Sequence, residues 1–125
     1  MRLYPPVPLI VREARRMLRL GTEMIGPGTF VYVPVYAVHR HEEFWDRPDV
    51  FDPDRFAPEA VKARDRYVYL PFGAGPRICV GMSFAQMEAT AVLAVLLSSL
   101  RLSLRSGYVP EPKLRVTLRP ARGCR

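Results

Sequence analysis

One ten-residue stretch concentrates the residue types that do chemistry: Phe72-Gly73-Ala74-Gly75-Pro76-Arg77-Ile78-Cys79-Val80-Gly81. Glycines at 73, 75 and 81 free the backbone to take positive φ and to approach a large flat partner. Cys79 stands just before a segment that reads as a helix. The positive end of that helix, with Arg77 nearby, favours a thiolate over a thiol. A thiolate so placed has three uses: nucleophile, redox thiol or metal ligand. A redox pair calls for a second cysteine close by, and the other one, Cys124, is far along the chain. A nucleophile calls for a base, and sequence alone brings neither His39 nor His41 beside it. With the two cysteines, these histidines do not match zinc-finger spacing. A phosphate loop is excluded by pattern. The position for a third glycine after Gly73-Ala74-Gly75 is Ile78, and no Lys-Ser or Lys-Thr follows.

The elements that must hold this loop are short and punctuated by proline. Leu9-Ile10-Val11 is β-prone, and Arg15 to Leu20 reads as a second strand ending in a turn at Gly21-Thr22-Glu23. Pro27-Gly28 marks another turn before Thr29-Phe30-Val31-Tyr32-Val33, the clearest strand in the chain. Val35 to Arg40 begins a short helix. From His41 to Tyr67, Pro48, Pro53 and Pro58 alternate with acids and with Phe44, Trp45, Phe51 and Phe56. That run is too apolar for a free linker and is expected to be a coil packed onto the rest. Gly81 to Leu97 reads as one helix, with Phe84, Ala85, Glu88, Ala91, Val92 and Val95 at three- and four-residue spacing. Leu100 to Leu104 and Leu114 to Leu118 alternate and are expected to close the chain as a β-hairpin with a wide loop.

The 125 residues are enough for one domain. A hydrophobic share of 49% against 25% charged makes dominant disorder untenable. The 13 prolines argue against an all-helical bundle. No uninterrupted apolar run reaches the roughly 18 residues of a bilayer-spanning helix. Met1-Arg2-Leu3-Tyr4-Pro5-Pro6 has no secretory core segment, and the expected location is cytoplasmic. The net charge of +7 is uneven: residues 100 to 125 hold seven basic residues and one acid. Nucleic-acid binding would suit that charge. Aromatics do not interleave with the basic residues as in a stacking platform, so no nucleic acid is expected as a partner.

The loop resembles the haem-binding loop of cytochrome P450 enzymes, Phe-x-x-Gly-x-Arg-x-Cys-x-Gly. Phe72, Gly75, Arg77, Cys79 and Gly81 match it without a gap. Phe51-Asp52-Pro53-Asp54-Arg55-Phe56 resembles the family's Pro-Glu-Arg-Phe element, with Asp54 in place of glutamate. Arg2-Leu3-Tyr4-Pro5-Pro6 is similar to the end of the family's K helix, and Ala85 and Glu88 to the Ala-x-x-Glu of the helix after the cysteine. The resemblance implies an α+β fragment of the mainly helical cytochrome P450 fold, residues 1–125 forming one partial domain. Its parts would be short strands, an aromatic meander, the cysteine loop, one long helix and a C-terminal β-hairpin.

The same resemblance implies roles. Cys79 would be the axial thiolate of haem b (iron protoporphyrin IX), pushing electron density onto iron and favouring O–O cleavage. Phe72 would pack beside the sulfur and limit water and hydrogen bonding there. Arg77 would pair with a haem propionate, and Arg12 resembles a second propionate arginine on a short strand. His39 and Arg40 resemble a His-Arg pair and are read as structural. Arg2 and Arg55 would be two members of a charged triad whose glutamate falls three residues before Arg2, ahead of Met1. The implied activity is that of a monooxygenase inserting one oxygen atom from O2 into an organic small molecule. Electrons would come from a donor such as a ferredoxin or a P450 reductase. No match to the distal oxygen-activating helix is present, so the isolated chain is expected to be inactive or weak. A non-enzymatic haem-binding module is the alternative reading, with a basic nucleic-acid-binding domain behind it.

Overall fold

Alternating β-branched and aromatic residues make the first sheet. A computed structural model of the chain describes residues 1–103 and 106–121. In it β1 (Ile10–Glu13) lies antiparallel to β4 (Phe30–Val33), pairing Ile10 with Val33 and Arg12 with Val31. Between them β2 (Leu18–Leu20) and β3 (Glu23–Ile25) form a separate hairpin turning at Gly21, whose φ is 59°. The expected strand at Arg15 is thus shortened to begin at Leu18. Buried Ala14 extends the first ladder by exchanging hydrogen bonds with Gly28 and Thr29 (2.8 and 2.9 Å), so the chain must bend before β2 can start. A single turn of helix, α1 (Val35–Val38), follows β4.

The meander is more regular than the expected coil. It contains a 3-10 turn at Pro53–Phe56, the helix α2 (Pro58–Ala63) and a second 3-10 turn at Arg66–Val68. Pro53 and Pro58 open their elements, where a missing N–H costs nothing and the fixed φ suits the turn. Asp52 and Asp65 cap the two 3-10 turns, their carboxylates accepting the amides of Asp54 (3.0 Å) and Tyr67 (2.7 Å). The prolines that look like helix breakers are therefore helix starters.

Few side chains are buried, and they centre on Trp45. Its ring is 2% exposed. The Arg2 guanidinium lies 5.0 Å from its centroid and that of Arg64 4.7 Å away. Phe56 and Tyr69 close the cluster, with ring centroids 4.9 Å apart. Arg2 is buried and donates to the carbonyls of His39 (2.8 Å), Pro48 (2.6 Å) and Val50 (2.8 Å). His39 is wholly buried, and burial, aided by the positive charges of Arg2 and Arg40, pulls its pKa down to about 4.

The long helix α3 (Met82–Ser99) starts and ends close to expectation, but it is not amphipathic. Met87, Leu93 and Leu97 are exposed on it as well as Phe84, Val92 and Val95, so apolar residues ring the whole helix. A helix apolar all round is the kind covered by the core of a large protein or by a membrane. Its 18 residues have a mean hydropathy of 1.3, long and apolar enough to cross a membrane by length and composition alone. The unbroken-run criterion missed this because Ser83, Gln86, Glu88 and Thr90 interrupt the run without lowering the average enough.

The closing hairpin is displaced from its expected position. β5 (Pro112–Leu114) pairs with β6 (Leu118–Pro120), Leu114 opposite Leu118. Residues 115 to 117 form the turn, with Leu114 and Leu118 on opposite arms instead of one, because a three-residue connection costs less entropy to close than the wide loop. Leu100 to Leu102 form no strand, and Leu104 lies outside the described residues. The Leu118 amide donates to the Pro6 carbonyl (2.9 Å), binding this hairpin to the start of the chain.

The accessible surface is 10545 Å². A folded monomer of this mass should expose about 6,800 Å². We therefore expect the isolated chain to self-associate and to bind hydrophobic dyes strongly. Size-exclusion chromatography with melting curves checks this; a monomer that melts sharply would contradict it.

The buried His39 also predicts a pH dependence. Its folded pKa (about 4) lies below the unfolded reference of 6.5. The unfolded chain binds the extra proton between these values, so stability is full above pH 6.5 and falls as the pH drops towards 4. The loss should reach about 3 kcal/mol, read by denaturant unfolding across that window. His39→Gln should flatten the profile.

Candidate functional site

The cysteine loop is suspended from backbone hydrogen bonds. The chain enters at Leu70, whose amide donates to His39 Nε2 at 2.8 Å. The Gly73 amide turns back to the Leu70 carbonyl at 3.1 Å. A 3-10 turn over Gly75–Arg77 follows, closed by the Ile78 amide on Gly75 (3.0 Å). The Cys79 amide then donates to the Phe72 carbonyl at 3.0 Å, drawing the two ends of the loop together. Gly73 (φ 76°) and Gly75 (φ 72°) occupy the left-handed region that side chains rarely adopt. Gly81 does not share this need: its φ is −84°, and it caps α3 without a side-chain bond. A Cβ added there would meet Cys79 Sγ at an ordinary 3.9 Å. The expectation of positive φ thus holds for two of the three loop glycines.

Cys79 carries a free, exposed thiol three residues ahead of the first residue of α3. It lines one cleft of about 480 Å³ together with Ile10, Arg12, Leu70, Phe72 and Arg77. β1 supplies Ile10 and Arg12, the loop and its entry supply Leu70, Phe72, Arg77 and Cys79, and the segment before β1 adds Pro6, Val7 and Leu9. Four of the six residues singled out from the sequence therefore meet on one surface. Gly75 lines the neighbouring cleft, with Tyr67 and Met82, and Gly81 lines neither. Arg12 donates only to the carbonyl of its neighbour Val11 (2.9 Å). Among the described residues neither Arg12 nor Arg77 makes an ion pair. No group of three or more His, Cys, Asp or Glu converges among the described residues.

Arg2 and Arg55, expected to share a carboxylate, lie close enough that Arg55, after burial, lowers the Arg2 pKa. Arg55 Nε stands 3.7 Å from Asp52 and makes no hydrogen bond, while its Nη2 donates to the Arg47 carbonyl (3.2 Å). Arg40 stacks 3.8 Å over Tyr36 and pairs with Asp49 at 3.2 Å, in keeping with a structural role. Sequence reasoning passed over Arg64, which faces Trp45, Phe56 and Tyr69 and donates to the Arg55 carbonyl (2.9 Å). Its position just beyond the aromatic run was the available signal. Cys124 lies outside the described residues.

The family model described as Cytochrome P450 matches residues 1–123. The chain is 39% identical to cytochrome P450 714C2 of Oryza sativa subsp. japonica, covering 98% of this chain and 24% of that protein. It is 40% identical to the 11-oxo-beta-amyrin 30-oxidase of Glycyrrhiza uralensis over the same shares. The crystal structure of the cytochrome P450DA heme domain superposes with a TM-score of 0.87 at 32% identity, covering 95% of this chain and 27% of that one. The chain belongs to the cytochrome P450 family, a family of haem-thiolate monooxygenases. It spans about a quarter of the length of these relatives.

The loop geometry separates the two kinds of glycine. Gly75→Ala should destabilise the chain by about 1 kcal/mol or more, because alanine must occupy a left-handed backbone. Gly81→Ala should cost less than about 0.5 kcal/mol. Denaturant midpoints of the two variants test the order, and equal losses would contradict it.

Proposed function

We propose that residues 1–125 are the cysteine-loop part of a haem-thiolate monooxygenase domain, in which Cys79 would hold the iron of haem b through its sulfur. One observation carries the reading: a free thiol, an aromatic ring and two guanidinium groups without an ion pair among the described residues share one largely apolar cleft. The donor set fits the group. An apolar macrocycle with two carboxylates calls for an apolar wall, one soft ligand and cations at its edge. When bound, the haem supplies the O2 chemistry that inserts one oxygen atom into an organic substrate.

The chain's own residues would prepare that chemistry. Cys79 would supply the sulfur ligand, and the Phe72 carbonyl holds its amide. With the haem in place, the Phe72 ring, which lines the same cleft, would limit water and hydrogen bonding at the sulfur. Arg77 and Arg12 would bind the propionates, guanidinium being suited to partly buried carboxylates. Gly73 and Gly75 allow a backbone course that residues with a side chain would resist. The substrate pocket, the residues that handle oxygen protons, and the surface for a ferredoxin or P450 reductase are assigned to the full-length domain. The 125 residues alone are expected to bind haem more readily than to oxygenate.

Cys79→Ser should abolish the red-shifted carbonyl Soret band of thiolate-ligated ferrous haem, and Cys124→Ser should leave it in place. If both variants keep the parent spectrum, Cys79 is not the ligand. Arg77→Ala should keep the ligation type but weaken haem binding by roughly 1.5–3 kcal/mol, about 10- to 150-fold. Haem titration yielding parental affinity would remove Arg77 from the site.

A further inference from the structure

His39 sits where three stretches of chain meet, and the haem reading gives it no task. None of its surface is exposed. Its Nε2 accepts the Leu70 amide proton at 2.8 Å, and its Nδ1 lies 3.2 Å from the Arg2 carbonyl. A ring nitrogen that accepts a hydrogen bond carries no proton, so the proton is on Nδ1 and is donated to Arg2. The ring is therefore neutral and in one tautomer. The His39 carbonyl in turn accepts from Arg2 Nη1 at 2.8 Å, making the link to the first residues reciprocal.

Leu70 is also where the hydrogen bonds of the cysteine loop begin. Its carbonyl holds the Gly73 amide, and the Phe72 carbonyl holds the Cys79 amide. Three short bonds, with one or two residues of chain between them, thus connect a buried ring to the backbone at the thiol. A space-filling aromatic residue could occupy the cavity but could make neither bond.

We propose that His39 is a positioning residue for the cysteine loop: its neutral ring fixes Leu70 against Arg2 and thereby sets where the loop closes on Cys79. The consequence for haem rests on the function proposed above; the tie itself does not. A proton added to Nε2 would remove the acceptor and release Leu70. The groups that face the ring oppose that proton: Arg2 and the Met1 amino group from the first residues, and Arg40 from its own segment. The Tyr69 ring, 5.2 Å away, covers the remaining side. The tie is therefore closed at neutral pH and opens only in acid.

The test compares the full chain with His39→Phe, which keeps ring volume and loses both bonds. A third form, His39→Gln, keeps a donor and an acceptor but does not titrate. Residue-resolved amide exchange is followed without haem from pH 8 to 4, corrected for the intrinsic rate at each pH. In the parent, the Leu70, Gly73 and Cys79 amides should lose protection at least tenfold relative to those of β1 and β4 as the pH falls from 6 to 4. His39→Phe should lose it at every pH, and His39→Gln should retain it with no pH dependence. Retained Leu70 protection in His39→Phe would overturn the proposal. So would loss in step with β1 and β4, the behaviour of a residue that merely supports packing. Haemin is then added to each form. If the exchange results hold while the parent shows no thiolate carbonyl band, the tie stands and the haem assignment falls. If His39→Phe binds haem with parental affinity, spectrum and pH profile, the positioning role falls.

Discussion

A buried guanidinium holding three main-chain carbonyls is the constraint on which the rest of this chain depends. Arg2 reaches His39, Pro48 and Val50, and so joins the first residues to the end of α1 and to the middle of the meander. A charge withdrawn from water is costly unless its donors are satisfied. Here they are satisfied by carbonyls that no regular element uses. The irregular, proline-rich course of the meander is thus stabilised by the same bonds that make burial of Arg2 tolerable. Trp45, between the guanidinium groups of Arg2 and Arg64, adds cation–π attraction and excludes solvent from the bonds around it.

The site inherits this arrangement. His39 transmits the position of Arg2 to Leu70, and the loop hangs from Leu70 by its own amides. β1 arrives from the opposite direction and brings Arg12 to the cleft that holds Cys79 and Arg77. Two unrelated supports, a sheet and a hydrogen-bonded loop, therefore meet at one thiol. Neither support uses a long helix. α3 contributes its beginning to the loop and leaves the remainder of its apolar circumference uncovered.

How much of this could be read from the residues depended on the range of the interaction. The ten-residue loop was legible because its chemistry is local: glycine freedom, a cysteine before a helix, an arginine two residues away. β4 was legible because a β-branched and aromatic run reports itself, and α3 because apolar residues recur in it every three or four positions, although others fill its remaining faces. The helical pieces of the meander were not, because Pro53 and Pro58 look the same in a coil as at the first position of a turn. The hairpin was misplaced because the alternation of Leu100 to Leu104 resembles that of a strand, while the real choice was made by the short turn after Leu114. The links through His39 and Arg64 span distant parts of the sequence and leave no periodic trace in it.

The hydrogen bond from Leu118 to Pro6 bears on the order in which the protein is made. A ribosome delivers the cysteine loop and α3 well before it delivers β6. The bond cannot form before β6 emerges, and because it spans most of the 125 residues its closure carries a large loop entropy. Until then β1 and β4 can pair and Trp45 can be enclosed, since these contacts need only earlier residues. Synthesis thus presents the thiol loop before the β5–β6 hairpin can fasten the stretch around Pro6.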